Sequence, residues 1–309
     1  MHVTSTDEPN YLNQSTVLKG GASMTNTAMR DEKLRPELGD PVLATTVVSA
    51  DGTVIAYSRA GTGDPVVLVD GALNDRALNG PNPRLARVLA SRFTVFTYDR
   101  RGRGESGDTP PYAIEREIED LQAVIDAAGG SAFVYGISSG GALALEAANR
   151  LSSIKRLALF ELPFVTDDSR APIPGDFVAK IDELAGSGRR AEALRYFFTA
   201  GIGLPRIMVG LMRLMPAWSK LKVLAPTLRY DVRLIGENGA GRPLPADRWA
   251  NVTVPTLVMA GGKSPRWMQN AMRALADALP SAGHRTLERQ THIVKPKALA
   301  PVLGEFFHD

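Results

Sequence analysis

Two adjacent serines, Ser138 and Ser139, stand in Gly136-Ile137-Ser138-Ser139-Gly140-Gly141, between a short apolar run (Phe133, Val134, Tyr135) and an Ala/Leu-rich stretch that ends near Asn149. The pattern reads strand, tight turn, helix, with a hydroxyl at the apex. A serine held in such a turn needs small neighbours two before and two after it, because strand and helix backbones nearly touch there. With Ser139 at the apex those positions fall on Ile137 and Gly141, and a β-branched side chain crowds the turn. With Ser138 they fall on Gly136 and Gly140. The spacing therefore selects Ser138 as a nucleophile, beside the positive end of a new helix where backbone N–H groups can stabilise an oxyanion. An ordinary Gly/Ser loop before a helix has the same letters, so the rest of the chain must supply the other evidence.

The elements that would position this turn follow an ordered pattern. Thr45 to Ser49 and Val54 to Ser58 flank Ala50-Asp51-Gly52-Thr53, an Asp-Gly hairpin signal. Pro65 to Val69 is a fully apolar run ending in Asp70-Gly71-Ala72-Leu73, as expected of a buried strand. Arg84 to Ser91 reads as a helix and Phe93 to Tyr98 as a strand. That strand enters a charged, glycine-rich turn from Asp99 to Gly107. Ile114, Ile118, Leu121, Val124 and Ile125 carry a helical period, and Ile154 to Leu162 is another apolar strand. Hairpin, then alternating strands and helices, predicts a mostly parallel sheet covered by helices on both faces.

The alternation breaks after Phe164. Helical stretches are expected at Phe177 to Leu184, Ala191 to Ala200 and Pro205 to Leu214, and Met208, Met212, Leu214, Met215 and Trp218 are unusually apolar for surface helices. They suit a packed core or an irregular apolar pocket. Val254 to Ala260 returns the chain to the sheet, followed by a helix at Trp267 to Leu279, a strand at Arg285 to Glu288 and a final helix at Lys297 to Phe307. Residues 1–41 are polar and aperiodic and read as a flexible leader.

Composition narrows the classes. The 309 residues allow one large domain with an insertion, and 44% hydrophobic with 22% charged residues is ordinary for a globular protein. The formal charge of +3 is small and its cations are scattered, which argues against a nucleic-acid surface. The chain has no cysteine, so disulfides and thiolate metal sites are excluded. No apolar run approaches the ~20 residues that span a bilayer, and the first residues lack a basic start followed by an apolar core. A cytoplasmic protein without a membrane span is the expectation, with self-association as a homodimer left open.

Taken in order, Val69-Asp70-Gly71, Tyr98 to Gly104, Gly136 to Gly141, Pro255-Thr256-Leu257-Val258 and Gln290-Thr291-His292 resemble the α/β-hydrolase superfamily from about Thr45 to the C-terminus. The resemblance implies an α/β fold: a mostly parallel eight-stranded sheet with helices on both faces and a helical cap. The core would be residues 42–164 and 251–309, and the cap 165–250. A serine nucleophile needs a base, and the chain has four histidines. His2 lies in the leader and His308 at the end. His284 and His292 should flank the last strand, about 25 Å apart at ~3.3 Å per residue. Only His292 would be at the carboxyl end, where ligands bind in parallel sheets, and it falls where the family's general base sits.

The third member departs from the family's usual pattern. Ser264 stands where an Asp is expected, and no Asp or Glu occurs between Ala260 and Ala276. Certain haloalkane dehalogenases of the family take their acid from the end of the preceding strand, which makes Glu161 the candidate to orient His292. The resemblance places the oxyanion hole at the backbone N–H of Ser139 and at one N–H of the Gly71-Ala72-Leu73 loop, Ala72 being the choice. Where the family often has His-Gly, this chain has Asp70-Gly71. Asp70 is then a second functional acid or a loop hydrogen-bonding group, and Asp70, Leu73 and Ser264 are candidate pocket residues. The three arginines of the Asp99 loop read either as a phosphate site or as a hydrogen-bonded turn that supports the serine. The implied chemistry is acyl transfer on an ester, lactone or related bond of a small molecule with an apolar portion, with no cofactor and no metal. Non-hydrolytic enzymes on this scaffold (lyase, acyltransferase, epimerase, cofactor-free haloperoxidase) and a ligand receptor are the alternatives.

Overall fold

The computed structural model describes residues 45–78 and 80–308; the leader therefore lies outside the described residues. Eight strands, β1 (Thr45–Val48), β2 (Val54–Ala60), β3 (Pro65–Val69), β4 (Thr94–Tyr98), β5 (Ala132–Ile137), β6 (Ile154–Phe160), β7 (Thr256–Gly261) and β8 (Ala282–Leu287), form one sheet in the order β1-β2-β4-β3-β5-β6-β7-β8. The β1/β2 and β2/β4 pairs are antiparallel and every other pair is parallel. This is the expected α/β architecture. Among the described residues, no helix is long and apolar enough to cross a membrane.

Runs such as Val66-Val67-Leu68-Val69 lack alternation because both faces of the sheet are covered. Helices α1 (Pro81–Leu89) and α10 (Pro296–His308) bring Leu85, Leu89, Leu299 and Leu303 to one face. On the other face pack α2 (Ile114–Ala127), α3 (Ser139–Ala148) and α9 (Arg266–Ala278), through Leu121, Leu143 and Met272 among others. The connection from β3 leads to β4 on one side, whereas β5 lies on the other. The crevice between β3 and β5 is thus a switch point, where parallel sheets place ligands. Register brings the strand ends level, with Val69 opposite Gly136, Ile137 opposite Phe160 and Phe160 opposite Met259.

Between β6 and β7 the chain forms α4 (Phe177–Gly186), α5 (Arg190–Tyr196), a π-helical turn (Phe197–Gly201), α6 (Arg206–Met212), α7 (Ala217–Leu224) and α8 (Leu228–Ile235). Phe177, Ile181, Leu194, Phe198, Trp218 and Leu228 share a core of their own, which also takes in Leu73. The expectation for the methionines needs correction. Ile207, Met208 and Leu211 are exposed because α6 turns only Val209 fully inward, and Leu214 and Met215 are exposed in the turn that follows it, where the sequence implies a longer helix. The last strand also begins earlier than the sequence implies, so His284 lies inside β8 rather than beyond its end.

Candidate active site

The elbow is built by close approach. Ser138 follows β5 directly, at φ 57° and ψ −130°, a region a side-chain-bearing residue occupies only when its surroundings enforce it. Its N–H donates to the Phe160 carbonyl at 3.0 Å. A Cβ on Gly136 would stand 2.7 Å from the Gly140 oxygen, and one on Gly140 would overlap the Asp70 carbonyl oxygen. Glycine at both positions is therefore a packing requirement with Ser138 at the apex. Ser139, the rejected alternative, is the first residue of α3 and is buried.

Glu161 comes one residue after β6, at φ 48°, and is fully buried. Its Oε1 accepts a hydrogen bond from the Gly261 N–H at 2.6 Å, and its Oε2 stands 2.9 Å from His292 Nδ1. His292 lies in the loop between β8 and α10 with its side chain 40% exposed. A buried carboxylate on Nδ1 fixes the tautomer that leaves Nε2 free to accept a proton. Ser264 takes no part in this pair. It is buried in the turn after β7, its Oγ has no hydrogen-bond partner among the described residues, and its carbonyl accepts from Gln269.

Ser138 and His292 line one cavity of about 370 Å³, together with Asp70, Gly71, Ala72, Leu73, Asn74 and Ile137 from the sheet side. Phe197, Phe198, Ile202 and Leu221 complete it from the helical insertion, and Ile293 from the loop of His292. No hydrogen bond joins Ser138 to His292 among the described residues; such contacts are often long before substrate binds. Of the residues expected here, Glu161, Ser139 and Ser264 are outside the lining, Glu161 standing behind His292. A larger cavity of about 440 Å³ lies on the insertion among Lys180, Arg189, Glu192, Arg195 and Arg206 and contains none of these groups. His284 is on the edge strand and lines neither cavity. Among the described residues no group of His, Asp or Glu side chains is arranged to hold a metal ion.

A network that the sequence did not reveal lies behind the elbow. Asp231 of α8 is fully buried and accepts from Arg100 Nη1 at 2.7 Å, from Arg103 Nη2 at 2.8 Å and from the Ser139 hydroxyl at 2.7 Å. Arg103 also donates to the Gly71 carbonyl at 2.8 Å and Arg100 to the Asp70 carbonyl at 3.3 Å, while Glu117 takes the other edge of Arg100. Burial resists ionisation of Asp231, yet Arg103, Arg100 and Ser139 together hold its carboxyl below the usual range. Arg101 is bound to Asp120 and Asp51. The three arginines are buried and bonded to carboxylates and backbone, which corrects the phosphate-site reading in favour of the supporting turn. The available signal was an aspartate on the apolar face of Leu228-Arg229-Tyr230-Asp231-Val232, where a buried charge requires a partner; its two arginine partners lie more than 120 residues away.

Asp70 differs from its neighbours. It is 4% exposed, and its Oδ1 is buried without a hydrogen-bond partner among the described residues. Burial pushes its carboxyl up to about 7, with Arg103 and Arg100 offsetting part of the effect.

The model of the alpha/beta hydrolase family matches residues 66–300. The chain belongs to this family. Of solved structures, an alpha/beta hydrolase from Sphaerobacter thermophilus is 53% identical over 85% of this chain and 100% of its own, with a TM-score of 0.78. The enol-lactonase from Burkholderia xenovorans is 21% identical over 86% of this chain and 100% of its own, at 0.60. The esterase RhEst1 from Rhodococcus sp. is 20% identical over 86% and 98%, at 0.58. The last two likenesses speak to fold alone. None of the curated proteins matches the chain.

Proposed function

We propose that this α/β-hydrolase family member is a serine hydrolase that cleaves an ester, lactone or related acyl bond of a partly apolar small molecule through an acyl-enzyme. The observation that carries the reading is one cavity lined by an elbow serine and by a histidine that a buried carboxylate orients. His292 Nε2 takes the Ser138 proton as Oγ attacks the carbonyl carbon, and Glu161 holds the resulting imidazolium. The oxyanion is met by the N–H groups of Ser139 and Ala72, the first at the start of a helix and the second on the loop that passes the elbow. The tetrahedral adduct collapses, His292 returns the proton to the leaving group, and a water activated by the same imidazole releases the acid. These groups complete the reaction without a metal or organic cofactor. Residues 165–250 act as a cap whose Phe197, Phe198, Ile202 and Leu221 accept the apolar part of the substrate, on a core of residues 42–164 and 251–309. The fold also serves non-hydrolytic reactions, so the class rests on Ser138 and His292 rather than on architecture.

Intact mass after treatment with a fluorophosphonate tests the reading. One adduct, mapped to Ser138 and lost in Ser138→Ala, is the expected result. A folded protein that takes up no adduct contradicts the activated serine and moves the chain to the non-hydrolytic members.

A further inference from the structure

We propose that Asp70 sets substrate charge in this cavity: its carboxyl donates a hydrogen bond to an acceptor atom near the scissile carbonyl, so the site takes uncharged acyl substrates and rejects those that carry a carboxylate. The inference rests on the acyl-enzyme reading above and names the substrate class of that same site. Its basis is geometric. Asp70 lines the cavity that holds Ser138 and His292, yet it is nearly buried, and its Oδ1 meets no donor among the described residues. Arg103 and Arg100 act on its charge, yet no hydrogen bond joins either guanidinium to its carboxyl among the described residues, and Arg103 Nε has no partner there. Arg100 bonds Glu117, Asp231 and the Asp70 carbonyl, and Arg103 bonds Asp231 and the Gly71 carbonyl. No lysine or arginine lines the cavity among the described residues, so nothing there would pair with an anionic substrate.

A carboxylate without a donor or counter-charge is costly to bury, whereas the neutral acid costs far less and supplies an O–H in need of an acceptor. The charged groups around Asp70 are Arg103 and Arg100, which favour its ionisation, and Asp99 and Asp75, which oppose it; the Tyr135 phenol on β5 feels its charge in turn. Burial outweighs the arginines, so the acid form persists up to neutral pH. Above neutrality the cavity gains a negative charge, and its discrimination against a carboxylate-bearing substrate must sharpen.

A matched pair of p-nitrophenyl esters, adipate monomethyl ester and free adipate, tests this from about pH 6 to 9. The adipate carboxyl is ionised throughout that range. Any pH effect on the free enzyme that both esters share cancels in the ratio of their kcat/KM values. The wild-type ratio is expected to favour the neutral ester about 10-fold at pH 6 and to grow about 10-fold more by pH 9. In Asp70→Asn, which keeps a donor and cannot ionise, it should stay flat. A wild-type ratio that does not change with pH, or an equal rise in the variant, overturns the proposal, since a merely structural Asp70 would not move it. Calorimetric affinities of Ser138→Ala for the two corresponding anilides give the same ratio without turnover. Hydrolysis of neither ester by the wild type would defeat the acyl-enzyme reading alone. The anilides would then decide Asp70: equal affinities, or no binding of the neutral anilide, would overturn it.

Discussion

Two buried carboxylates, one behind His292 and one behind the elbow, are held in contrasting ways. Glu161 sits at the end of a sheet strand, is fixed by one backbone N–H, and extends its second oxygen to a histidine whose side chain is 40% exposed. Asp231 arrives from a helix of the insertion and is enclosed by two arginines and a serine hydroxyl, all of them buried. The first arrangement leaves one partner open to solvent. The second leaves no free side and anchors the backbone on which both proposed oxyanion donors sit. On the proposed chemistry, the same residue type serves reactivity where one partner stays accessible, and it serves rigidity where none does.

The contrast can be broken at either carboxylate. On the proposed chemistry, Glu161→Gln removes the largest effect. Its amide can still accept from Gly261 but would donate to His292 Nδ1, which puts the ring proton on Nε2 and disables the base. A loss of about 10³–10⁴ in kcat is expected, measured with a short acyl ester while circular dichroism stays unchanged. Full activity in this variant would remove Glu161 from the reaction. Asp231→Asn should act on stability instead. Asp231 is the only carboxylate paired with Arg103 among the described residues, and a buried cation deprived of its partner costs about 3–5 kcal/mol. At roughly 2–4 °C per kcal/mol, the melting temperature should fall by about 10 °C, and an unchanged melt would show that the network bears no load. Ser264→Ala is expected to do least, within about a factor of 2 in kcat, because its hydroxyl has no partner to lose among the described residues. If it cost more than Glu161→Gln, the orienting role would belong to the turn after β7.

What the sequence makes legible follows from range. Gly136 and Gly140 constrain neighbours a few residues away, so the elbow can be read locally, as can runs such as Pro65 to Val69 whose burial on both faces leaves no polar letter. Glu161 becomes legible by elimination against Ser264, through a family pattern rather than through the residues alone. Asp231 does not. Its helix begins within one residue of a Pro-containing turn, and the two arginines that justify it are encoded before the elbow. Met208 misleads for a related reason: composition records that a helix is apolar, but only packing decides whether that side faces inward, and here it faces solvent.

The Asp231 contact also bears on how this chain can be re-engineered or diversify. Insertions between strands are often treated as interchangeable modules, to be shortened or exchanged for another specificity. Here the electrostatic balance of the Asp99 loop is completed by a residue of the inserted segment, so a graft that omits an acid at that place would leave Arg103 without a carboxylate and Arg100 with Glu117 alone beneath the elbow. Inheritance of the insertion and inheritance of Arg100 and Arg103 are thereby linked. A swap is expected to succeed where it carries a replacement anion or removes Arg103 at the same time.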